Sequence, residues 1–174
     1  MRSDQMPKLL EGSQVASSVS KFIADELGIP SGVSVVAGAG DNAAAACGVG
    51  ITKEGQGFVS IGTSGVLLTA RDTYTPLANS AVHTFCHAIP KTWFQMGVIL
   101  SATDSLNWLS SVTGKSPKAL SEGLGQKING PSFEKFYPYL SGERTPLNDA
   151  HIRGGFSGLS TNSDRTKLTQ AVLE

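Results

Sequence analysis

The sequence predicts a mixed α/β chain, in which short strands and helices follow one another. Three observations support this class. An apolar run at residues 33–37 leads through two glycines into an alanine-rich stretch, and residues 57–99 hold several strand-like runs. After residue 101, apolar residues recur at helical spacing instead. The change of period along the chain indicates that strands and helices contribute to one fold.

Charge and composition exclude several classes of protein. The chain has 174 residues, of which 14 are Lys or Arg and 14 are Asp or Glu, so its formal net charge is zero. Because there is no basic stripe and no apolar run near the ~20 residues of a membrane span, we expect neither nucleic acid nor a membrane as a partner. The first residues contain no apolar signal-peptide core, which predicts a cytoplasmic protein. Charged residues make up only 16%, so we expect much of the surface to pack against another part of the same protein.

The first elements are a helix, a strand and a second helix. Residues 14–27 have apolar positions at helical spacing, with Ser13 as the expected cap and Gly28 as the stop. Residues 33–37 read as a short buried strand, and a small-residue helix is expected from Asp41 to about Gly48. The apolar positions of the first helix are Val15, Val19, Phe22, Ile23 and Leu27.

The middle of the chain predicts four strands. Residues 58–61 and 66–69 form one pair around the turn Gly62–Gly65, and residues 81–89 and 93–99 form a second pair. We expect these strands to make an antiparallel meander. Helices are then expected at 101–112, around Leu120 and at 165–174, and residues 129–156 are expected to be a long ordered loop held by aromatic side chains.

Asp41 is the first candidate for chemistry. It follows an apolar strand and two glycines, Gly38 and Gly40, which permit a tight turn. A carboxylate is thus presented at the carboxyl end of a strand, where open α/β folds commonly build sites. The alternative is that Asp41 is only the N-cap of the helix it opens.

The turn Gly62–Gly65 is the second candidate. Thr63 and Ser64 supply hydroxyl groups, and a glycine-flanked turn presents backbone N–H groups, an arrangement that suits phosphate oxygens. An ordinary glycine hairpin is the alternative. The glycine patterns for dinucleotide binding and the Walker spacing are both absent.

Other polar clusters predict structural roles. His83 and His87 would lie about 13 Å apart along a strand, with no acid beside them, so we expect no metal site. The adjacent pair Glu143 and Arg144 is expected to hold its loop together, and Asp104 is expected in the first turn of a helix. The two cysteines have no metal-binding spacing and are expected to be buried free thiols.

Taken in order, these motifs resemble the FGGY family of carbohydrate kinases, and within it the xylulokinases. The resemblance covers nearly the whole chain, and Lys167 is a single departure, at a position where the family usually has an acid, an amide or His. The matching stretches are Asp4–Pro7, Val35–Gly38 with Gly40–Ala44, Ile61–Gly65, Ser80–His83 with Phe85–Ala88, Tyr139–Pro146, and Gly154–Glu174.

The resemblance implies an actin-like ATPase fold, related to ribonuclease H, with two domains and an active site in the cleft between them. It implies transfer of the γ-phosphoryl group of ATP, with Mg²⁺, to a sugar hydroxyl. By motif position, Asp41 would be the general base and would also contact substrate, and Asn42 would contact a substrate hydroxyl. Gly62, Thr63 and Ser64 would face the nucleotide phosphates. Asn42 favours a ketopentose such as D-xylulose, whereas gluconate, ribulose and glycerol kinases remain alternatives.

The resemblance also implies that the chain is partial. Family members are far longer, and neither their first phosphate motif nor their adenosine-binding glycines occur here. Residues 1–45 would be the end of the amino-terminal, sugar-binding domain, and residues 46–174 the first part of the carboxyl-terminal, nucleotide-binding domain. We therefore expect the isolated chain to be inactive. The alternative is a non-catalytic, truncated fragment with only a structural or weak binding role. A homodimer is open for the complete protein.

Overall fold

The computed structural model describes residues 2–126 and 130–174, and only the backbone of Ser3. Within those residues it contains eight strands, five α-helices and two short 3₁₀ helices. The strands are β1 Val15–Ser18, β2 Ser34–Val36, β3 Gly57–Ile61, β4 Gly65–Arg71, β5 His83–Cys86, β6 Trp93–Ile99, β7 Lys135–Tyr137 and β8 Gly155–Ser157. The helices are α1 Lys21–Leu27, α2 Asp41–Gly48, α3 Thr103–Thr113, α4 Pro117–Glu122 and α5 Arg165–Leu173.

The largest sheet has four strands in the order β3-β4-β6-β5. All four strands were predicted, but the meander was wrong, because a meander would place β5 next to β4. The two longest strands, β4 and β6, bury alternate side chains and pair with each other, which leaves the short strand β5 at the edge. Burial of those apolar side chains therefore decides the order rather than sequence proximity.

The chain divides into two compact units, and each has its own core. Unit 1 comprises the residues up to Phe58, Thr69–Thr75 and Thr84–Gln95. Its buried residues are mostly alanines, which allow close approach of backbones. Unit 2 comprises Val59–Leu68, Pro76–His83 and Met96–Glu174. Its core is built from larger side chains, among them Leu68, Leu109 and Leu120.

The first predicted helix of unit 1 is partly wrong. Residues 15–18 form β1, which pairs antiparallel with β2, and only Lys21–Leu27 is helical. Ser20 rather than Ser13 is the cap, because its Oγ accepts a hydrogen bond from the Ile23 N–H. The apolar positions of residues 15–19 fit both periods, and pairing with β2 decided between them.

The predicted strand at residues 33–37 is confirmed as β2, but the expectation that it is buried is wrong. Val35 and Val36 are 42% and 51% exposed. The reason is that β2 pairs only with β1, in a sheet of two strands. The predicted helix from Asp41 to Gly48 is confirmed as α2. Of the two free cysteines, Cys86 is exposed, because β5 is an edge strand, so its predicted burial is wrong.

Unit 2 joins three helices to a two-stranded sheet of β7 and β8. Helix α3 packs on α4 and α5, and α5 packs on β7. An aromatic cluster of Trp108, Phe136 and Phe156 links α3 to β7 and β8, with ring centroids 4.9–6.3 Å apart. All three predicted helices are confirmed, and aromatic side chains do hold residues 130–156.

The prediction of a loop at 129–156 did not include the strands β7 and β8. Its first residue, 129, lies outside the described residues. Within the remainder, β7 and β8 pair antiparallel, with Phe136 opposite Phe156. Three-residue strands are too short to leave a period in the sequence, so only the tertiary pairing defines them.

Candidate active site

Asp41 is the first residue of α2, and its carboxylate is exposed. The N-cap is Gly40, with φ −62° and ψ 154° and no side-chain cap, so the alternative that Asp41 is the N-cap is wrong. The Oδ1 atom of Asp41 accepts hydrogen bonds from the backbone N–H of Asn42 (2.7 Å) and from its Nδ2 (3.3 Å). The helix dipole favours a negative charge at this position. Both bonds from Asn42 go to this one oxygen of the carboxylate.

A rigid turn precedes Asp41. Gly38 has φ 76°, and its N–H donates to the Gly12 carbonyl at 2.9 Å, while the Ala37 N–H donates to Gln14 at 3.0 Å. A Cβ on Gly12 would lie 2.8 Å from the Gly38 oxygen, so only glycine fits there. The sequence alone does not point to Gly12, because its role depends on a segment more than twenty residues away.

The loop Gly62–Ser64 joins β3 to β4 and lies against the start of α3. The Gly62 carbonyl accepts from Thr103 N–H (3.0 Å) and Thr103 Oγ1 (2.8 Å). The Thr63 carbonyl accepts from Ala102 N–H (2.8 Å) and Asp104 N–H (3.4 Å). Two successive carbonyls of the loop therefore point to the same helix end.

This orientation of the carbonyls also directs the loop's N–H groups. In a planar trans peptide the C=O and the N–H of the next residue point in opposite directions. The N–H groups of Thr63 and Ser64 therefore point away from α3, on residues that are exposed. Successive N–H groups that point to one side form a concavity suited to an anion.

The same contacts replace a helix cap. The N-cap of α3 is Ala102, which has no side chain able to cap, and the loop carbonyls take the hydrogen bonds of the first N–H groups instead. Thr103 thus supports the loop, a contact that the sequence alone did not predict. Its only signal was a hydroxyl residue at the predicted start of a helix.

The remaining polar side chains make contacts within the fold. His87 is buried against Phe94, and its Nδ1 accepts from the Ile89 N–H at 3.1 Å. Burial lowers the pKa of His87 below its ordinary value of 6.5, and the Ile51 backbone opposes this in part. Asp104 lies in the first turn of α3. Among residues 2–126 and 130–174, no three His, Cys, Asp or Glu side chains are grouped so that they could hold a metal ion.

Glu143 and Arg144 hold their loop together. Oε1 of the buried Glu143 accepts from the N–H of Leu100 at 3.1 Å and from the N–H of Arg144 at 2.7 Å. Arg144 Nη1 lies 3.3 Å from His83 Nε2.

The predicted site residues fall into two groups. Asp41 and Asn42 are in contact within unit 1, and the loop Gly62–Ser64 is held by α3 within unit 2. A positioned carboxylate and outward backbone N–H groups are each features that phosphotransferases use. The class of protein that these features suggest is therefore a phosphotransferase. No helix in the described part of the chain has the length and apolar character to cross a bilayer.

Comparison with known proteins identifies the family within that class. The sequence profile of the FGGY family of carbohydrate kinases, C-terminal domain, matches residues 57–174. The chain belongs to this family, which confirms the resemblance drawn from its motifs.

Three relatives illustrate the similarity. The xylulose kinase of Escherichia coli (strain K12) is 43% identical over 172 residues, which are 98% of this chain and 35% of that protein. The gluconokinase of Bacillus subtilis (strain 168) is 29% identical over 184 residues, which are 98% of this chain and 36% of that protein. The crystal structure of a xyloylose kinase from Brucella ovis is 54% identical, with a TM-score of 0.92 over 97% of this chain and 35% of that one.

These comparisons settle the fold and the extent of the chain. The structural neighbours are FGGY kinases, so the predicted actin-like ATPase fold is confirmed. The chain spans about 35% of the length of the relatives that it matches. It is therefore similar to one part of a longer kinase.

Proposed function

We propose that the complete protein containing this chain is an ATP-dependent xylulokinase, which converts D-xylulose to D-xylulose 5-phosphate. Membership of a family of sugar kinases rests on the match at residues 57–174. The choice of D-xylulose is supported by the 43% identity to a relative that is named a xylulose kinase. The observation that carries the catalytic proposal is the exposed carboxylate of Asp41, held at a helix start by its neighbour.

Asp41 acts as the general base in this proposal. Its carboxylate accepts the proton of the sugar hydroxyl while that oxygen forms a bond to the γ-phosphorus of ATP. The bond from the γ-phosphorus to the bridging oxygen breaks, and ADP leaves with the electron pair. Such transfers depend mainly on positioning and charge stabilisation, so one oriented carboxylate is the protein's principal chemical contribution at the hydroxyl.

Asn42 orients Asp41 and contacts the sugar. Its backbone N–H and Nδ2 both donate to the same oxygen, Oδ1, and thereby limit rotation of the Asp41 carboxylate. The Asn42 side chain is partly exposed. Its amide oxygen is therefore available as an acceptor for a sugar hydroxyl.

The loop Gly62–Ser64 receives the phosphate oxygens of the nucleotide. ATP, when bound, supplies the phosphoryl group. The N–H groups of Thr63 and Ser64 point away from α3, and their residues' hydroxyls add donors on the same exposed loop. This arrangement fits a phosphate. Mg²⁺ is commonly held by substrate phosphates and one or two carboxylates, and its binding to the complete protein stays a prediction.

The proposed domain division explains why the isolated chain is expected to be inactive. We propose that residues 1–45 end the sugar-binding domain and that residues 46–174 begin the nucleotide-binding domain. The chain spans 35% of the xylulose kinase that it matches, and on this division it would hold only part of each domain. The cytoplasmic location and a homodimer of the complete protein stay predictions.

A panel of sugars tests the substrate. ADP formation by the complete protein should depend on D-xylulose, with kcat/KM at least tenfold above that for D-gluconate, D-ribulose or glycerol, a ratio within the range that binding discrimination supplies. A preference for gluconate would instead favour the alternative suggested by the gluconokinase relative. D-xylulose-dependent ADP formation by the 174-residue chain alone, abolished by Asp41→Asn, would contradict the proposed inactivity of the fragment.

A further inference from the structure

We propose that Glu143 is a positioning residue for the loop Gly62–Ser64, which it reaches through the segment Leu100–Asp104. The inference rests on the proposed role of that loop in nucleotide binding. Among the described residues, the hydrogen bonds of Glu143 reach Leu100, Arg144 and Asp149 and not the loop itself. Its effect is transmitted by backbone hydrogen bonds within unit 2.

Glu143 binds the backbone just after the end of β6. Its side chain is 3% exposed, and Oε1 accepts from the Leu100 N–H, 43 residues earlier in the chain. Leu100 follows directly on β6, so this bond holds the backbone at the point where the chain leaves the sheet for α3.

The loop carrying Glu143 is itself rigid. The backbones of Glu143 and Asp149 exchange two hydrogen bonds, of 2.8 and 2.9 Å. Gly142 has φ 83°, and a Cβ there would meet the Ala150 backbone at 2.9 Å. Thr145 Oγ1 accepts from the Val98 N–H and its own N–H donates to the Val98 carbonyl, both at 3.1 Å. The carboxyl group is therefore presented from a fixed base.

The residues that follow Leu100 connect it to the loop Gly62–Ser64. Only Ser101 separates Leu100 from Ala102, whose N–H donates to the Thr63 carbonyl. Thr103 binds the Gly62 carbonyl through both its N–H and its hydroxyl. A displacement of Leu100 therefore changes the direction of both loop carbonyls, and with them the N–H groups on the other side of the same peptide planes.

The other carboxyl oxygen gives an independent reason to seek a role beyond stability. Oε2 of Glu143 is buried and has no hydrogen-bond partner among the described residues. A buried polar atom without a partner is unfavourable for stability and calls for an explanation. Retention of a side chain with an acceptor oxygen here is explained if Oε1 must hold Leu100 in register with the loop.

The test compares three variants of the complete protein. Glu143→Leu is similar in volume and removes the acceptor for Leu100. Glu143→Gln keeps an oxygen that can accept the same bond. Thr169→Val is the matched control, because Thr169 is equally buried but its hydroxyl donates only to Arg165 within α5.

Two readouts are measured on folded protein, namely amide hydrogen exchange over residues 57–66 and 98–105, and steady-state kinetics against ATP and sugar separately. In Glu143→Leu we expect exchange at Ala102 and Thr103 to rise, and the KM for ATP to rise roughly tenfold with the KM for sugar within about twofold. Glu143→Gln should behave like the unmodified protein. Thr169→Val should lower the unfolding midpoint and change neither readout.

Unchanged exchange and unchanged KM for ATP in Glu143→Leu would overturn the inference. So would faster exchange with normal ATP kinetics, because the loop would then not need this support. If the unmodified protein forms no ADP with any sugar, the proposed function fails by itself. The exchange experiment then still decides whether Glu143 positions the loop, since it needs no catalytic activity.

Discussion

The turn that presents Asp41 and the loop Gly62–Ser64 differ in how each is held. Asp41 takes its described side-chain contacts from Asn42, the next residue in the chain. The loop depends on α3, about 40 residues further along, for the bonds to its carbonyls. One site element is thus organised locally and the other by tertiary contacts.

Because of this difference, we expect substitutions in the two regions to affect stability to different degrees. The Asp41 carboxylate is exposed, so its replacement removes little that the fold needs. The loop carbonyls also accept the hydrogen bonds of the first N–H groups of α3, since Ala102 has no side chain that could cap the helix. Changes around the loop should therefore affect stability and nucleotide binding together, whereas changes at Asp41 should affect turnover alone.

Asp41→Asn should give the largest effect. We expect kcat of the complete protein to fall by about 10²–10⁴-fold, the typical contribution of a general base, because an amide cannot accept the proton. The free energy of unfolding should change by less than about 1 kcal/mol, the scale of a helix-dipole contact. Asp25→Asn, at an exposed acid paired with Lys21, is the control and should leave kcat unchanged. Near-normal turnover in Asp41→Asn would remove this residue from the base role.

Gly65→Ala should give the largest loss of stability next to the loop Gly62–Ser64. The added Cβ would lie 2.7 Å from Ile99 Cγ1 and 2.9 Å from Ile99 Cδ1. Overpacking of this kind costs about 1–3 kcal/mol in the free energy of unfolding, which chemical denaturation can measure. Ile99→Ala in the same molecule should restore part of the loss, because it removes both close atoms. Additive effects of the two substitutions would show that this contact is not the cause.

Thr103→Val should have a smaller effect that is shared between stability and binding. It removes the 2.8 Å bond from Oγ1 to the Gly62 carbonyl but keeps the one from the N–H. We expect a loss of about 1 kcal/mol, the net value of one hydrogen bond, and a rise in the KM for ATP. Thr103→Ser retains the hydroxyl and should preserve both. A serine variant as impaired as the valine variant would mean that the methyl group matters and the bond does not.

The two units should lose stability in different pH ranges. The pKa of His87 in unit 1 is lowered from 6.5 by burial, so the unfolded chain binds its proton first and stability falls as the pH drops below about 6.5. In unit 2, a hydrogen bond from Ser163, with a smaller one from Ser132, lowers the pKa of Glu134 from its ordinary 4.5. Its contribution is complete above that value and is lost only as the pH falls through the lowered pKa.

Unfolding midpoints measured from pH 7.5 to 3.5 test this difference. In His87→Asn the side-chain oxygen can still accept from Ile89 but does not titrate, so the decline that starts near 6.5 should shrink. The decline at lower pH should remain. An unchanged profile above pH 5 in this variant would contradict the assignment to His87.

The exposed apolar side chains of both units agree with the low charge content of the sequence. Val35 and Val36 are exposed in unit 1, and Val59 and Ile61 are 64% and 70% exposed in unit 2. Composition predicted such a surface without locating it. Which apolar faces stay exposed depends on how the strands pair into sheets. The sheet of β1 and β2, for example, has only two strands.

The sequence by itself determined the elements with a long or distinctive local pattern. Helices α2, α3 and α5, the strands of the large sheet, the turn before Asp41 and the loop at Gly62 all follow from periodicity, glycine placement and ordered motifs. These features depend on residues that are close in the chain. For that reason their position could be predicted before any packing was known.

Only the tertiary structure decided which segments pair and which bonds anchor the loop. It placed β4 beside β6, turned residues 15–18 from a helix into a strand, and assigned the N-cap of α2 to Gly40 instead of Asp41. It also joined Glu143 to Leu100 across 43 residues. Hydrogen bonds and apolar burial between distant segments outweigh local preferences of a few tenths of a kcal/mol per residue, and no local pattern records them.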